Sequence, residues 1–280
     1  MTHPKLAAHI RANVRAALDE DLTGGDLTAQ LIGEHAVAQA AVITREPMVL
    51  CGSAWFNECF LALNSGCDIL WHIKEGEVAD PGQTLCKIRG NARAMLSAER
   101  PALNFLQTLS AVATVTRDYV EATCGTKVKI MDTRKTLPGL RMAQKYAVQV
   151  GGGHNQRIGL FDGVLIKENH IAAAGGIAAV MAHAIRITPP GISIQIEVET
   201  LAQLDEALNA GAKLVLLDNF SLAQMRTAVM RADGKAELEA SGGINLHTVR
   251  AIAETGVDRI SIGALTKDIK AIDLSMRVSL

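Results

Sequence analysis

The 280-residue chain has no excess of either charge: 28 lysines and arginines stand against 29 aspartates and glutamates, a formal net charge of -1 at pH 7. Without a global basic field it cannot hold a nucleic-acid backbone or an anionic membrane surface by charge, and neither partner is expected. It also lacks any apolar run near the roughly 18 residues that a membrane span requires. Its start, Met1-Thr2-His3-Pro4-Lys5, has no apolar secretory core. A cytoplasmic protein is expected. Five cysteines, at 51, 59, 67, 86 and 124, form no C-x-x-C pair and have no histidine at a metal-ligand interval beside them. They read as reduced structural thiols, and zinc is not expected. No Walker A sequence occurs. The triple glycine at 151–153 follows a helical stretch rather than opening a helix after a strand, so it is not a dinucleotide-binding fingerprint. His154, His170, His183 and His247 lack ligand spacing and read as packing or helix residues.

What is present is a large apolar fraction, 49%, in a chain longer than one average domain. Leu6, Ile10, Val14 and Leu18 recur every four residues and line one face of a helix over 5–18, which the turn Thr23-Gly24-Gly25-Asp26 ends. Residues 37–44 read as a strand, 53–63 as a helix, and 69–73 and 84–88 as strands, without regular alternation. A helix over about 101–122, with Pro101 in its first turn, links this part to the next.

Beyond residue 125 the pattern becomes a strict alternation of short apolar strands and amphipathic helices. Strands fall at 128–131, 163–166, 194–198, 214–217, 236–239 and 259–262, and helices at 177–187, 201–210, 221–232 and 245–255. Right-handed crossovers then make the sheet parallel. Six strands, not eight, indicate an open, incomplete β/α barrel, with a doubly wound open sheet as the alternative.

In a parallel barrel the chemistry sits where the strands end, and these ends are polar. They are Asp132-Thr133-Arg134-Lys135, Lys167-Glu168-Asn169, Glu199-Thr200, Asp218-Asn219, Ser241-Gly242-Gly243 and Gly263-Ala264, with Glu197 just inside its strand. Between residues 127 and 167, eight cations (127, 129, 134, 135, 141, 145, 157 and 167) face only Asp132 and Asp162, an excess of six positive charges. Lys127 and Lys145 read as solvated charges. Arg134, Lys135, Arg157 and Lys167 are aimed at a shared mouth, where they repel by about 1 kcal/mol per pair in water and more near protein. A small anion would relieve that repulsion. Arginine suits a planar carboxylate and lysine a phosphate oxygen, and both are supplied. Backbone amides at Ser241-Gly242-Gly243 and Ile262-Gly263-Ala264 suit phosphate, although such glycines also serve tight turns. Glu197 and Asp218, from neighbouring strands, could hold Mg²⁺, sugar hydroxyls or a developing cation; a salt bridge from Glu197 or Asp218 to Lys135 or Lys167 is the structural alternative.

The segments Asp132-Thr133-Arg134-Lys135-Thr136-Leu137-Pro138-Gly139, Gly151-Gly152-Gly153 with Asn155 and Arg157, and Lys167-Glu168-Asn169-His170 resemble the quinolinate phosphoribosyltransferase family, the carboxylating nicotinate-nucleotide pyrophosphorylases. The likeness extends to Glu197-Val198-Glu199, Asp218-Asn219, Ser241-Gly242-Gly243, Gly25-Asp26-Leu27-Thr28 and Glu99-Arg100, and so spans essentially the whole chain. It implies an N-terminal α/β sandwich over 1–112, joined by 268–280, and a six-stranded open β/α barrel over 113–267. It implies a homodimer with shared sites, in which Arg100 enters the partner's site. It implies that Arg100, Thr133, Arg134, Lys135, Gln156, Arg157 and Lys167 bind quinolinate or phosphoribosyl pyrophosphate. Lys135, Glu197 and Asp218 would be catalytic, with Glu197 and Asp218 at the ribose and Mg²⁺ and backbone at 241–243 and 262–264 at phosphate. The family usually has histidine at Gln156; glutamine still donates a hydrogen bond but carries no charge. A Schiff-base barrel lyase using Lys167, or a related protein acting on another small anion, are the competing readings.

Overall fold

The structure, a computed structural model, describes residues 4–279. In chain order it runs α1 (Pro4–Leu22), β1 (Val37–Thr44), β2 (Met48–Val49), α2 (Ser53–Leu63), β3 (Asp68–Trp71), β4 (Val78–Ala79), β5 (Thr84–Asn91) and α3 (Ala92–Ala122). Then follow β6 (Lys129–Met131), α4 (Arg141–Val150), β7 (Gly163–Ile166), α5 (Glu168–Ala174), α6 (Ile177–Ile187), β8 (Ser193–Val198), α7 (Leu201–Asn209) and β9 (Leu214–Asp218). Last come α8 (Leu222–Ala232), β10 (Glu237–Ser241), α9 (Val249–Ala253), β11 (Arg259–Ser261), α10 (Ala264–Lys267) and β12 (Leu274–Ser279). Two compact units result, one of residues 4–117, 136–152 and 266–279, the other of 118–135 and 153–265. No single helix among the described residues is long and apolar enough to cross a membrane; α5 and α6 reach that length only as a pair bent by 96°.

The first unit is built on a four-stranded antiparallel sheet in the order β12-β1-β5-β3. Along β1 the residues Ala38, Ala40, Val42 and Thr44 are buried and their neighbours are not, the period of two that a one-sided sheet demands. Phe56 of α2 packs against Phe60 and Trp71, with ring centroids 4.9 and 5.3 Å away. Leu6, Ile10, Val14 and Leu18 of α1 are all buried, as their spacing predicts. The Glu75 carboxylate accepts the Gly52 and Ser53 N–H groups at 2.7 and 3.2 Å and so caps α2 from a distant loop.

Two expectations are corrected here. The long helix starts at Ala92 rather than near 101, because Asn91 Oδ1 accepts the Ala94 N–H at 3.1 Å and caps it. Pro101 therefore lies inside α3 and not in its first turn. Lys145 is not a solvated charge: it is 1% exposed on α4, a helix that buries Ala143, Gln144, Ala147 and Val148 as well. Segment 136–152 stands with the first unit because Tyr146 stacks at 5.5 Å on Trp55 and Gln144 Nε2 donates to the Thr266 carbonyl at 2.9 Å. The first of the three glycines has a packing reason, since a Cβ on Gly151 would lie 2.5 Å from the Ala113 carbonyl oxygen of α3.

The second unit holds a six-stranded, wholly parallel sheet in the order β6-β11-β10-β9-β8-β7. That order is the cyclic order of a barrel cut between β6 and β7. A doubly wound sheet would reverse its order midway, and this one does not. Ile130, Ile196, Val198, Val215, Leu217, Leu238, Ala240 and Ile260 are buried apolar positions on one face. The intervening positions of β8, β10 and β11 are Gln195, Glu197, Glu237, Glu239, Ser241, Arg259 and Ser261. Helix α9 is shorter than its sequence pattern, because Asn245 and Thr248 bond to local backbone N–H groups and delay its first turn.

Candidate active site

The cluster at 132–135 is shaped by Asp132. This carboxylate is fully buried and accepts the Gln156 N–H at 2.8 Å, while its own N–H donates to the His154 carbonyl at 3.0 Å. His154 in turn donates its N–H to the Ile130 carbonyl at 2.8 Å, so 154–156 runs as a short parallel extension beside β6. Gln156 and Arg157 lie outside every strand and helix expected from the sequence, and this pairing is what brings them to the strand ends. Arg157 Nη1 donates to the Gly163 carbonyl, at the start of β7, at 2.9 Å. One guanidinium thus reaches across the open seam of the barrel. Burial lowers the Arg157 pKa, and the positive charge of Arg134 lowers it further, against a smaller opposing effect from Asp162. Like charges are held together where an anion would bind. The Thr133 hydroxyl accepts the Lys135 N–H at 3.0 Å and fixes the turn between the two cations.

On the opposite strands, Lys167 Nζ donates to Glu197 Oε2 at 2.8 Å. Glu197 is the more buried partner, with 13% of its side-chain surface exposed against 44% for Lys167. The Lys167 N–H donates to His170 Nδ1 at 3.0 Å, which anchors the backbone at the end of β7 and gives His170 a capping role. Asp218 closes β9 beside Ser241 of β10 and accepts a hydrogen bond from Asn219 at 3.0 Å.

These groups enclose a cavity of about 350 Å³, lined by Thr133, Arg134, Lys135, Gln156, Arg157, Lys167, Glu197 and Ser241 together with Leu165, Leu216, Glu239 and Ser261. The first eight are residues singled out from the sequence. Asp218, Gly242, Gly243, Gly263 and Ala264 stand at the neighbouring strand ends and not on the cavity wall. Gly242 is obligatory for a local reason as well: at φ +105°, a Cβ there would meet Asn219 Oδ1 at 2.1 Å. Ile262 does not offer an amide to a ligand, since its N–H donates to the Met131 carbonyl at 3.0 Å and its side chain is buried. Arg100 is exposed on α3, in the other unit.

Glu239 and Ser261 are not among the polar segments expected beyond the strands: Glu239 closes the expected strand 236–239, whereas β10 runs on to Ser241 and places it mid-strand. The available signal was strand alternation: Glu239 lies two residues before Ser241 and faces the same way. Gln195 stands in the same relation to Glu197. Polar residues at inward positions of otherwise apolar strands mark the floor of a site.

Fold and site together define a β/α-barrel enzyme for small anions. Residues 26–110 match the quinolinate phosphoribosyl transferase N-terminal domain and residues 112–277 the C-terminal domain of the same family. The chain is 42% identical over 276 residues to a nicotinate-nucleotide pyrophosphorylase (carboxylating) of Mycobacterium leprae, covering 95% of this chain and 96% of that one. It superposes on the nicotinate-nucleotide pyrophosphorylase from Francisella tularensis with a TM-score of 0.95 and 46% identity, over 99% and 98% of the two chains. For the Ehrlichia chaffeensis protein of that name the values are 0.90 and 40%, over 95% and 97%. The chain belongs to the quinolinate phosphoribosyl transferase family.

Proposed function

We propose that this protein converts quinolinate and phosphoribosyl pyrophosphate to nicotinate mononucleotide, pyrophosphate and CO₂, the step that supplies pyridine nucleotide for NAD biosynthesis. The observation that carries this reading is the pairing in one cavity of a two-guanidinium wall, Arg134 and Arg157, with a Lys167–Glu197 pair on the facing strands. Guanidinium forks match the two planar carboxylates of quinolinate. Glu197 on the cavity wall and Asp218 at the neighbouring strand end would meet the ribose, where their charge favours the electron-poor sugar carbon that the ring nitrogen attacks. The nitrogen lone pair forms the bond to that carbon as its bond to oxygen breaks, and the electron pair leaves with pyrophosphate. Lys135, at the mouth, meets that developing negative charge. The alkylated ring nitrogen is then positive, so the adjacent carboxylate departs as CO₂ and leaves a carbanion that this charge stabilises until it takes a proton.

The carboxylates of Glu197 and Asp218 are hard oxygen donors on adjacent strands, which fits Mg²⁺. No group of three or more potential ligand side chains occurs among the described residues, so these two would hold an ion bound chiefly by substrate phosphates and water. When bound, Mg²⁺ supplies charge neutralisation to the pyrophosphate. We further propose a cytoplasmic homodimer in which Arg100 serves the partner's site; exposure of Arg100 on α3 is compatible with this. Loss of quinolinate turnover in Arg100→Ala, restored on mixing with a variant disabled at Arg134, tests the shared site. The Schiff-base alternative, with Lys167 as nucleophile, is disfavoured because its amine is engaged by the Glu197 carboxylate at 2.8 Å rather than presented to a carbonyl. Borohydride trapping with substrate would reveal a covalent adduct if that reading were correct.

A further inference from the structure

Below the ring of cations the cavity floor carries a carboxyl group that the reaction does not call for. Glu239, in the middle of β10, is 1% exposed. Its Oε2 accepts from Gln156 Nε2 at 2.5 Å and from Gln195 Nε2 at 3.0 Å, and its Oε1 also accepts from Gln156. Gln195 Oε1 lies 3.5 Å from Gln156 Nε2. Three side chains from separate stretches, the 154–157 extension, β8 and β10, therefore close a triangle of hydrogen bonds. Packing alone does not require it, since neighbouring strands supply Leu165 and Leu216 to the same cavity. A buried polar network is tolerable only when its members are satisfied, and an apolar floor would be the less costly solution. Its effect is to immobilise one residue. Gln156 is held at its backbone N–H by Asp132 and at its side-chain amide by Glu239, and the next residue, Arg157, is held by the Gly163 carbonyl.

We propose that Glu239 is a positioning residue for the aromatic substrate, clamping the Gln156 amide at the cavity floor so that Gln156 and Arg157 meet the substrate's carboxylate edge in one fixed register. This rests on the reading of the cavity as the quinolinate site. Holding the amide in advance removes the cost of ordering a side chain with three rotors when the ligand arrives. Burial raises the Glu239 pKa, in opposition to the hydrogen bonds it accepts and to the charge of Arg259.

The test is calorimetric binding of quinolinate, and separately of phosphoribosyl pyrophosphate with Mg²⁺, to the full chain and to Glu239→Gln, Gln156→Ala and the double variant. Glu239→Gln keeps the shape but turns at least one acceptor into a donor facing another donor. It is expected to weaken quinolinate about tenfold while changing phosphoribosyl pyrophosphate less than about twofold. Because Glu239 acts through Gln156, adding Glu239→Gln to Gln156→Ala is expected to produce no further loss, a non-additivity that a merely structural role would not give. Equal weakening of both ligands, unchanged quinolinate affinity in Glu239→Gln, or additive losses in the double variant would each overturn the proposal. Should Glu239→Gln fail to fold, Gln195→Leu removes the other donor to Glu239 and is expected to shift quinolinate affinity alone in the same direction; no shift there overturns the clamp. If the unaltered chain binds neither ligand, the functional reading falls, and the clamp with it.

Discussion

In the four-stranded sheet the buried positions of β1 are Ala38, Ala40, Val42 and Thr44, whereas in the six-stranded sheet the intervening positions of β8 and β10 are Gln195, Glu197, Glu239 and Ser241. Both sheets obey the same alternation of side chains. In the first, one face is apolar and joins a core with Phe56 and Ile88; in the second, the apolar residues Ile196, Val198, Leu238 and Ala240 occupy one face and free the other for chemistry. A parallel sheet with an apolar outer face can carry a polar interior without forfeiting its packing, because the helices supply the core on the outside. Stability and function are thus written on different faces, and substitutions in the two regions should have separable effects.

The largest effect is expected from the first unit's core. Phe56→Ala removes a fully buried ring with two aromatic neighbours and should cost about 3–5 kcal/mol of stability. Thermal unfolding would register it, while quinolinate affinity of the folded protein stays within about twofold. Arg134→Ala should do the reverse, weakening quinolinate by roughly 100- to 1,000-fold, about 3–4 kcal/mol, and phosphoribosyl pyrophosphate by less than about tenfold. Equal loss of both ligands would mean that the guanidinium wall does not divide the substrates as proposed. Glu197→Gln removes the charge facing the sugar and leaves Lys167 without its carboxylate partner, and should lower kcat by roughly 100-fold with substrate affinity little changed.

The smallest expected effect is a pH slope. Burial holds the Glu239 pKa above the ordinary value, so this carboxyl contributes stability that is fully present below the unfolded pKa of about 4.3. That contribution is lost as pH rises from there through the raised folded value, because the unfolded chain ionises first. The stability difference between the unaltered chain and Glu239→Gln should therefore shift in favour of Glu239→Gln as pH rises through that window. Denaturant titrations at several pH values would show it, and a pH-independent difference would place the carboxyl in an unperturbed environment.

Much of this architecture was legible in the sequence. Helices and strands with strong periodicity, such as 37–44, 53–63, 163–166 and 177–187, coincide with β1, α2, β7 and α6. The start of α3 was not legible from proline, because Asn91 caps the helix earlier and α3 accommodates Pro101 in its interior. Lys145 misled for a related reason, as its charge says nothing about how many faces α4 buries. At the site, the polar strand ends point to the cations and Glu197, and the Lys167–Glu197 ion pair that the residues also allowed does form, at 2.8 Å. The floor was less visible, since Gln195 and Glu239 acquire meaning only when β8, β10 and the 154–157 extension are brought side by side. The Ile262 amide was misassigned because sequence does not show that β6 already uses it.

The most direct test of the central claim is an assay of the purified chain for nicotinate mononucleotide and CO₂ from quinolinate and phosphoribosyl pyrophosphate, with and without Mg²⁺. The expected result is equimolar formation of both products, dependent on Mg²⁺ and reduced by at least about 100-fold in Arg134→Ala at subsaturating quinolinate. Absence of both products from a folded protein that binds phosphoribosyl pyrophosphate would contradict it.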